Sequence, residues 1–181
     1  MHIADTAIEM GLDPKKDFTL KAGIHGAEAF SDQFRKNLED KLGYKVYDVY
    51  GLTEVMGPGV AMECDEQDGL HVAEDHFFVE ILDPETHEPV PDGEWGELVI
   101  TTLTKEASPV VRYRTRDITR IMPGECACGR THRRIDRLHG RTDDMFKVKG
   151  CNMFPAQVEE VIKATDGTSS EYQVMIEAVD G

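Results

Sequence analysis

One stretch of the chain constrains the fold more than any other: residues 30–51 combine a helical pattern with a strand pattern that follows at once. Ser31 is suited to cap the start of a helix, and Gly43 is suited to the left-handed conformation that ends one. Residues 44–50 are rich in Val and Tyr and predict a strand, so the unit indicates an α/β layer. Apolar residues that recur at every fourth position predict one buried helical stripe: Phe30, Phe34, Leu38 and Leu42.

The middle of the chain predicts a β-rich unit. Strands are expected at 77–82 and 97–103, separated by a dense run of turn-forming Asp, Pro and Gly residues. Two shorter strands are expected at 110–113 and 118–122. This section therefore predicts a meandering sheet or a small distorted barrel.

The C-terminal part predicts mixed structure again. Pro155 suits the first turn of a helix, and residues 172–179 predict a final strand. The helix would present one apolar face made of Val158, Val161 and Ile162.

The charge balance excludes one class of function. The 181 residues hold 20 Lys and Arg against 35 Asp and Glu, a formal net charge of -15. A phosphate-backbone partner would meet long-range repulsion, so nucleic-acid binding is not expected. No apolar run approaches the roughly 20 residues needed to cross a bilayer, so no membrane partner is expected either. A cytoplasmic protein is the resulting expectation.

Residues 50–54, Tyr-Gly-Leu-Thr-Glu, follow the predicted strand and combine a ring, a flexible turn, a hydroxyl and a carboxylate. These groups suit an adenine face, a close backbone approach, a phosphate contact and a Mg²⁺ ligand, since Mg²⁺ prefers carboxylate and phosphate oxygens. The alternative interpretation is a strand-to-loop turn with a stray acid.

Two later segments carry charged groups that suit a nucleotide. Asp117, expected between two short strands, could accept hydrogen bonds from both ribose hydroxyls, or it could form a salt bridge with Arg114 or Arg116. Arg141 could neutralise a phosphate through a forked contact. The polar stretch 140–150 around it suits an interdomain hinge, with an ordinary charged hairpin as the alternative.

These three segments, in this order, resemble those of the adenylate-forming superfamily of acyl-CoA ligases, luciferases and peptide-synthetase adenylation domains. Within it, roughly residues 20–165 resemble the phenylacetate-CoA ligase family. One departure is Arg116, where many members of the superfamily carry Gly. The motifs that carry the narrower resemblance are Asp75-His76-Phe77, Thr101 to Glu106, Tyr113 to Asp117, Cys126 to Thr131 and Gly140 to Asp144.

The resemblance implies an α/β plus β fold, namely part of an α/β layer, a small distorted β-barrel and the start of an α+β C-terminal lid domain. Residues 1–76 would end the α/β nucleotide-binding subdomain, and residues 77–141 would form the barrel-like subdomain. Residues 142–181 would begin an incomplete lid.

The resemblance also implies a nucleotide pocket followed by a hinge. The implied contacts are Gly26, Ala27 and Glu28 on the adenine side, Tyr50 and Gly51 at the base, Thr53 at the α-phosphate, Glu54 at Mg²⁺, Asp117 at the ribose and Arg141 at the ribose or a phosphate. Asp143 matches the hinge position, and Gly150 would lie near the pantetheine channel of coenzyme A. Thr53, Glu54 and Asp143 would act in catalysis.

The implied reaction uses ATP, Mg²⁺, coenzyme A and an aryl carboxylate such as phenylacetate. The carboxylate attacks the α-phosphate and pyrophosphate leaves; the CoA thiol then takes the acyl group from the acyl-adenylate and AMP leaves. A phosphate loop and most of the lid are not found in the sequence, and Lys163 is too early to be the lid's catalytic lysine. The chain alone is therefore expected to be inactive, with a second copy or a separate N-terminal portion as its candidate protein partner.

The cysteines predict a structural zinc site. Cys126 and Cys128 supply two thiolates on a tight turn, and Cys64 with His71 would complete a Cys3His set. Buried free thiols are the alternative, and Cys151 is expected to be passive. His76 and His132 are the alternative imidazoles.

Two rival functions remain open. One is a nucleotidyl transferase resembling coenzyme F390 synthetase, which would adenylylate a deazaflavin hydroxyl. The other is a non-catalytic, zinc-stabilised interaction module, which would bind metal but no ATP.

Overall fold

Two β-sheets share one hydrophobic core. The computed structural model describes residues 2–27, 30–144, 146–148, 151–165, 167–168 and 172–175. The helices are α1 His2–Glu9, α2 Pro14–Asp17, α3 Asp32–Leu42 and α4 Pro155–Ala164. The strands are β1 Ala22–His25, β2 Lys45–Gly51, β3 Pro58–Glu63, β4 Leu70–Val72, β5 Phe77–Leu82, β6 Gly96–Thr102, β7 Tyr113–Thr119, β8 Ile121–Met122, β9 Arg134–Ile135, β10 Gly140–Arg141, β11 Phe146–Val148 and β12 Cys151–Met153.

The first sheet has six strands in the order β1-β2-β3-β4-β9-β8. β1 and β2 run parallel, and the other neighbours pair antiparallel. Parallel neighbours need a crossover connection, and α3 supplies it. This confirms the α/β layer predicted from residues 30–51.

The predicted helix in this unit is α3. The Ser31 hydroxyl accepts a hydrogen bond from the Phe34 amide at 3.2 Å, and Gly43 adopts the left-handed conformation with φ 75°. Leu38 and Leu42 are buried and pack with Val46 of β2. The cap and the stop are therefore confirmed; of the predicted stripe, Leu38 and Leu42 are buried, Phe34 is half-buried and Phe30 is half-buried and precedes the helix.

The second sheet has the order β10-β7-β6-β5 and is antiparallel throughout. β5 has the predicted bounds and β6 lies within one residue of them. β8 and β9 leave this section and join the first sheet, so residues 77–141 contribute strands to both sheets. Buried side chains of both sheets form the core: Tyr50, Val55, Val60, Ala61, Leu70, Val72, Phe77, Val79, Ile81, Leu98, Ile100, Ile121 and Ile135.

The prediction of a strand at 110–113 is wrong except at Tyr113, whereas the strand predicted at 118–122 is confirmed in part, since residues 118–119 end β7 and residues 121–122 form β8. Residues 110–112 form no strand, because the Thr102 hydroxyl accepts from the Val110 amide at 3.0 Å and the Thr101 hydroxyl accepts from the Arg112 amide at 2.9 Å. β7 then runs unbroken from residue 113 to 119. Asp117 consequently lies inside a strand and not between two.

The chain ends differ from expectation in three respects. α1 and α2 had no clear sequence signal. α4 begins at the predicted Pro155, but Val161 is 67% exposed and does not share the face of half-buried Val158 and Ile162. Residues 172–175 form no strand, and the rest of the predicted strand at 172–179 lies outside the described residues.

In the described part of the chain, each helix is too short or too polar to cross a membrane.

Candidate functional site

Three side chains from distant parts of the sequence meet at one carboxylate. The Tyr50 hydroxyl donates a hydrogen bond to Asp117 Oδ2 at 2.6 Å, and Arg141 Nη1 donates to Asp117 Oδ1 at 3.2 Å. Asp117 lies 67 residues from Tyr50 and 24 from Arg141 in sequence. The structure thus brings together one residue from each predicted nucleotide segment.

Strand register explains this convergence. β10 pairs with β7 so that Arg141 lies directly beside Asp117. Tyr50 lies near the end of β2 in the other sheet, and the two sheets are held together by the shared core. The site is therefore formed where the edge of one sheet meets the other.

Asp117 forms its salt bridge with Arg141 and not with Arg114 or Arg116, so that alternative prediction is wrong. Arg114 donates from Nε to both carboxylate oxygens of Glu97 at 3.1 Å, and the Arg116 amide donates to Glu97 at 3.2 Å. Arg116 adopts φ 71°, next to a register shift between β6 and β7. Gly adopts such a left-handed backbone without strain, and Arg116 adopts it in spite of its side chain.

Burial is the main cause of the shifted pKa values of Asp117 and Tyr50. It raises the pKa of Asp117 in spite of the opposing hydrogen bonds from Tyr50 and Arg141. Burial, with the Asp117 charge as the next cause, also raises the pKa of Tyr50. A neutral phenol therefore donates to the carboxylate, whose charge Arg141 partly offsets.

Arg141 links the pocket to the predicted hinge residue. Its Nε and Nη2 each donate to the carboxylate of exposed Asp143 at 2.9 Å, while Nη1 holds Asp117. The pKa of Arg141 is raised, first by its hydrogen bond to Asp143, and the same bond lowers the pKa of Asp143. One guanidinium thus connects a buried acid and an exposed acid.

A cavity of about 810 Å³ opens beside this cluster. The predicted residues Gly26, Ala27, Tyr50 and Gly51 line it, together with Asp117 and Arg141. A Cβ at Gly26 would lie 2.5 Å from the Val49 carbonyl oxygen, so only Gly fits at that wall. Apolar and polar lining residues that were not predicted include His25, Phe30, Phe34, Asp48, Leu138 and Asp136.

Asp48 is the most informative residue that sequence reasoning missed. Burial and then the neighbouring Glu63 charge raise its pKa to about 6. It lies two residues before Tyr50 in β2, on the same face of the strand. That period-two spacing from Tyr50 was a usable sequence signal.

Thr53 and Glu54 do not line the cavity. Both lie on an exposed turn that follows β2. The amides of Val55 and Met56 close this turn by donating hydrogen bonds to the Leu52 carbonyl oxygen at 3.1 and 3.0 Å. The ammonium group of Lys105 donates to the Glu54 and Val55 carbonyls at 3.2 and 2.7 Å and so holds the turn against the second sheet.

Two predicted site residues, Glu28 and Gly150, lie outside the described residues. Gly51 is described, and a Cβ there would lie 1.6 Å from the Gly57 carbonyl oxygen. Gly51 was predicted to allow a close approach of the backbone to a ligand. In the structure, Gly is required there because the backbone of the same turn leaves no space for a side chain.

The four predicted zinc ligands form one cluster. The ligand atoms of Cys64, His71, Cys126 and Cys128 all lie within 4.8 Å of one another. Cys64 Sγ lies 3.6 Å from Cys126 Sγ, and Cys128 Sγ lies 3.4 Å from His71 Nε2. His71 Nδ1 lies 3.2 Å from the His132 carbonyl oxygen, a contact that orients Nε2 toward the thiols.

The alternative imidazoles lie elsewhere. The His76 ring contacts the Thr104 hydroxyl at 2.8 Å, and the His132 ring lies 3.7 Å from Asp75. Ligands of a tetrahedral zinc ion with Zn–S bonds of 2.3 Å stand roughly 3.7 Å apart, which the observed 3.6 Å separation of two sulfurs matches. The residues present therefore fit a zinc ion.

Two family models match this chain. A family model described as "AMP-binding enzyme" matches residues 3–104, and one described as "AMP-binding enzyme C-terminal domain" matches residues 150–181. The chain belongs to the AMP-binding enzyme family.

Within that class the chain is similar to phenylacetate-coenzyme A ligases. The relative from Pseudomonas putida is 49% identical over 175 residues, which are 96% of this chain and 39% of the relative. The relative from Escherichia coli (strain K12) is 52% identical over 159 residues, 87% of this chain and 36% of the relative. The chain thus spans about two fifths of the length of these proteins.

Solved structures confirm the predicted fold. A 2-hydroxyisobutyryl-CoA ligase in the postadenylation state, in complex with 2-HIB-AMP, matches with a TM-score of 0.83 at 30% identity, over 94% of this chain and 36% of that chain. The same ligase in complex with 2-HIB-AMP and CoA in the thioesterification state matches over the same shares with a TM-score of 0.71.

Proposed function

We propose that this chain forms one wall of the nucleotide site of an ATP-dependent aryl-acid CoA ligase of the phenylacetate type. The observation that carries the proposal is the convergence of Tyr50, Asp117 and Arg141 at the mouth of an 810 Å³ cavity. A carboxylate beside a guanidinium suits a ribose next to a phosphate, because the first accepts from hydroxyl groups and the second pairs with phosphate oxygens.

The cavity wall suits the rest of the nucleotide. Asp48 supplies a carboxylate on the same strand face as Tyr50, suited to accept from the amino group of adenine. Gly26 and Ala27 give the base a flat wall without a long side chain. On the exposed turn after β2, outside the cavity lining, Thr53 would contact the α-phosphate and Glu54 would hold Mg²⁺, which neutralises phosphate charge when bound.

The residues after the pocket are proposed to move. Asp143 is the proposed hinge residue, and Gly150 would border the path of the CoA pantetheine. For one ligase, the TM-score is 0.83 with the postadenylation state and 0.71 with the CoA-bound thioesterification state. This difference supports a different placement of the segment in the two halves of the reaction. The Arg141–Asp143 pair is suited to hold the arrangement observed here.

In the complete enzyme an oxygen of the aryl carboxylate attacks the α-phosphorus, and pyrophosphate leaves with the electron pair. The CoA thiolate then attacks the acyl carbon, and AMP leaves. Arg141 and Asp117 orient the nucleotide, and buried Tyr50 keeps Asp117 in place.

We expect no turnover by this chain alone; release of pyrophosphate that depends on ATP and phenylacetate would contradict that expectation. The cytoplasmic location also stays a prediction.

Isothermal titration of the purified chain with AMP tests the nucleotide wall. We expect saturable binding that Asp117→Asn weakens at least tenfold, about 1.4 kcal/mol. Glu80→Gln is the control, because Glu80 pairs with Arg112 away from the cavity. Absence of binding at millimolar AMP and ATP would favour the non-catalytic interaction module.

We also propose that Cys64, His71, Cys126 and Cys128 hold a structural Zn²⁺ that ties β3, β4 and the loop before β9 together. Such a closed site contributes directly to folding stability. Elemental analysis of protein purified without chelator should find about one zinc per chain. Cys126→Ser should lose it and Cys151→Ser should keep it; sub-stoichiometric zinc in the unaltered chain would refute the site.

A further inference from the structure

The exposed turn after β2 is held from two sides. Residues 52–56 form this turn, and Val55 anchors it from within, because Val55 is fully buried in the shared core. Lys105 holds it from outside: its Nζ donates to the Glu54 carbonyl oxygen at 3.2 Å and to the Val55 carbonyl oxygen at 2.7 Å. Lys105 follows Val55 by 50 residues in sequence, so the tertiary fold alone creates this contact.

The loop between β6 and β7, which carries Lys105, is tied to the second sheet at both ends. Before Lys105, the Thr104 hydroxyl contacts the His76 ring at 2.8 Å. After it, the Val110 carbonyl oxygen accepts a hydrogen bond from the Thr102 amide at 3.0 Å, which closes the base of the loop. Because the loop is already ordered, little further conformational entropy is lost when Lys105 binds the turn.

The charge of Lys105 is not neutralised by an acid. Lys16 and Lys41 form salt bridges with Asp13 and Asp5, each at 2.7 Å. Within the described ranges no carboxylate pairs with Lys105 in this way, although the sequence holds 35 Asp and Glu against 20 Lys and Arg. Its two acceptors are carbonyl oxygens without formal charge, and an ammonium group has three donors, so one donor is left over. A half-buried cation of this kind suits a phosphate.

We propose that Lys105 is a positioning residue for the phosphates of the nucleotide. It fixes the main chain at Glu54, so that the Thr53 hydroxyl and the Glu54 carboxylate are presented to the phosphates. Its charge also offsets phosphate charge at the turn, because a triphosphate meets repulsion from a chain of net charge -15 unless a local cation overrides it. The inference rests on the proposed function, which assigns the phosphates to this turn.

Calorimetric titration with two ligands tests the role of Lys105. Adenosine has the base and the ribose without a phosphate, whereas ATP, titrated with Mg²⁺, has all three parts. Lys105→Met should weaken ATP binding about tenfold, because it removes hydrogen bonds from a charged group, and should change adenosine affinity by less than about twofold. A residue that only stabilised the fold would affect both ligands equally.

Lys45→Met is the matched control. Lys45 also donates from Nζ to a main-chain carbonyl, that of Asp65, but it does not line the cavity, so both affinities should stay unchanged. Lys105→Gln is the second variant: its amide keeps a donor for the carbonyl oxygens and removes the charge, so ATP affinity should fall in the same direction as in Lys105→Met. Urea unfolding of each variant checks that it is folded under the conditions of the titration.

Two outcomes would overturn the inference: unchanged ATP affinity in both Lys105 variants, or an equal loss of ATP and adenosine affinity in a folded Lys105→Gln. If the unaltered chain bound neither ligand, the proposed nucleotide wall itself would fail, and the inference with it. Adenosine binding by the unaltered chain, without an effect of Lys105 on ATP, would leave the nucleotide wall intact, so the two failures are distinguishable.

Discussion

Two buried carboxylates on neighbouring strands have different surroundings. Glu97 on β6 is fully buried and is surrounded by donors from Arg114 and the Arg116 amide. Asp117 on β7 is nearly as buried, but it has one phenol and one long guanidinium contact and lines the cavity. We expect an acid enclosed by donors away from any cavity to stabilise the fold, whereas the acid that lines a cavity is the one proposed to bind a ligand.

The largest expected effect lies on the structural side of this comparison. Glu97→Gln should destabilise the chain by about 3–5 kcal/mol, because it leaves the Arg114 charge without its buried partner. Urea unfolding measures the change. Glu80→Gln, which removes a more exposed pair with Arg112, should cost less than about 1 kcal/mol. Equal losses of unfolding free energy in the two variants would contradict a special structural role for Glu97.

Asp48 extends the comparison to a third acid and predicts a pH dependence. Its folded-state pKa of about 6 exceeds the ordinary value of 3.8, so the folded state loses stability as pH rises from about 4 to 6. Asp48→Asn removes that loss and should stabilise the chain above pH 6 by at most about 3 kcal/mol.

Denaturant midpoints of Asp48→Asn and the unaltered chain at pH 4.5 and pH 8 check the sign. The stabilisation should be larger at pH 8, and it should accompany weaker AMP binding. A variant that is less stable at pH 8 would show that Asp48 is structural, like Glu97.

Tyr50→Phe tests the cavity-facing acid more gently. Loss of the phenol removes one donor from Asp117 and should cost about 1–2 kcal/mol in stability. AMP affinity should fall about three- to tenfold, because Asp117 loses the contact that orients it. Unchanged affinity in a calorimetric titration would mean that Arg141 alone positions the acid.

The smallest effect is expected at Arg116. Arg116→Gly relieves a left-handed residue with φ 71° and loses only a 4.0 Å contact with Glu97, so it should stabilise the chain by up to about 1 kcal/mol. Urea unfolding measures the change. The control is Lys36→Gly at an exposed position of α3, where Gly should destabilise the chain by about 1 kcal/mol.

Local patterns predicted the elements whose causes are local. The Ser31 cap, the Gly43 stop and β5 were predicted because capping, left-handed backbone and alternation act within a few residues. β7 was predicted wrongly because its start is set by hydroxyls of Thr101 and Thr102 in another strand. These hydroxyls lie 8 and 11 residues from the amides that they bind, and a contact with another strand leaves no periodic signal.

The sequence by itself determined the α/β unit, the residue types of the proposed nucleotide wall and the four clustered residues of the proposed zinc site. Only the tertiary structure decided that Asp117 pairs with Arg141 and Tyr50 in place of Arg114 or Arg116, and that Asp48 shares their cavity. The physical reason is register: β10 beside β7 and one sheet against the other set which charges meet, and register depends on contacts between distant strands.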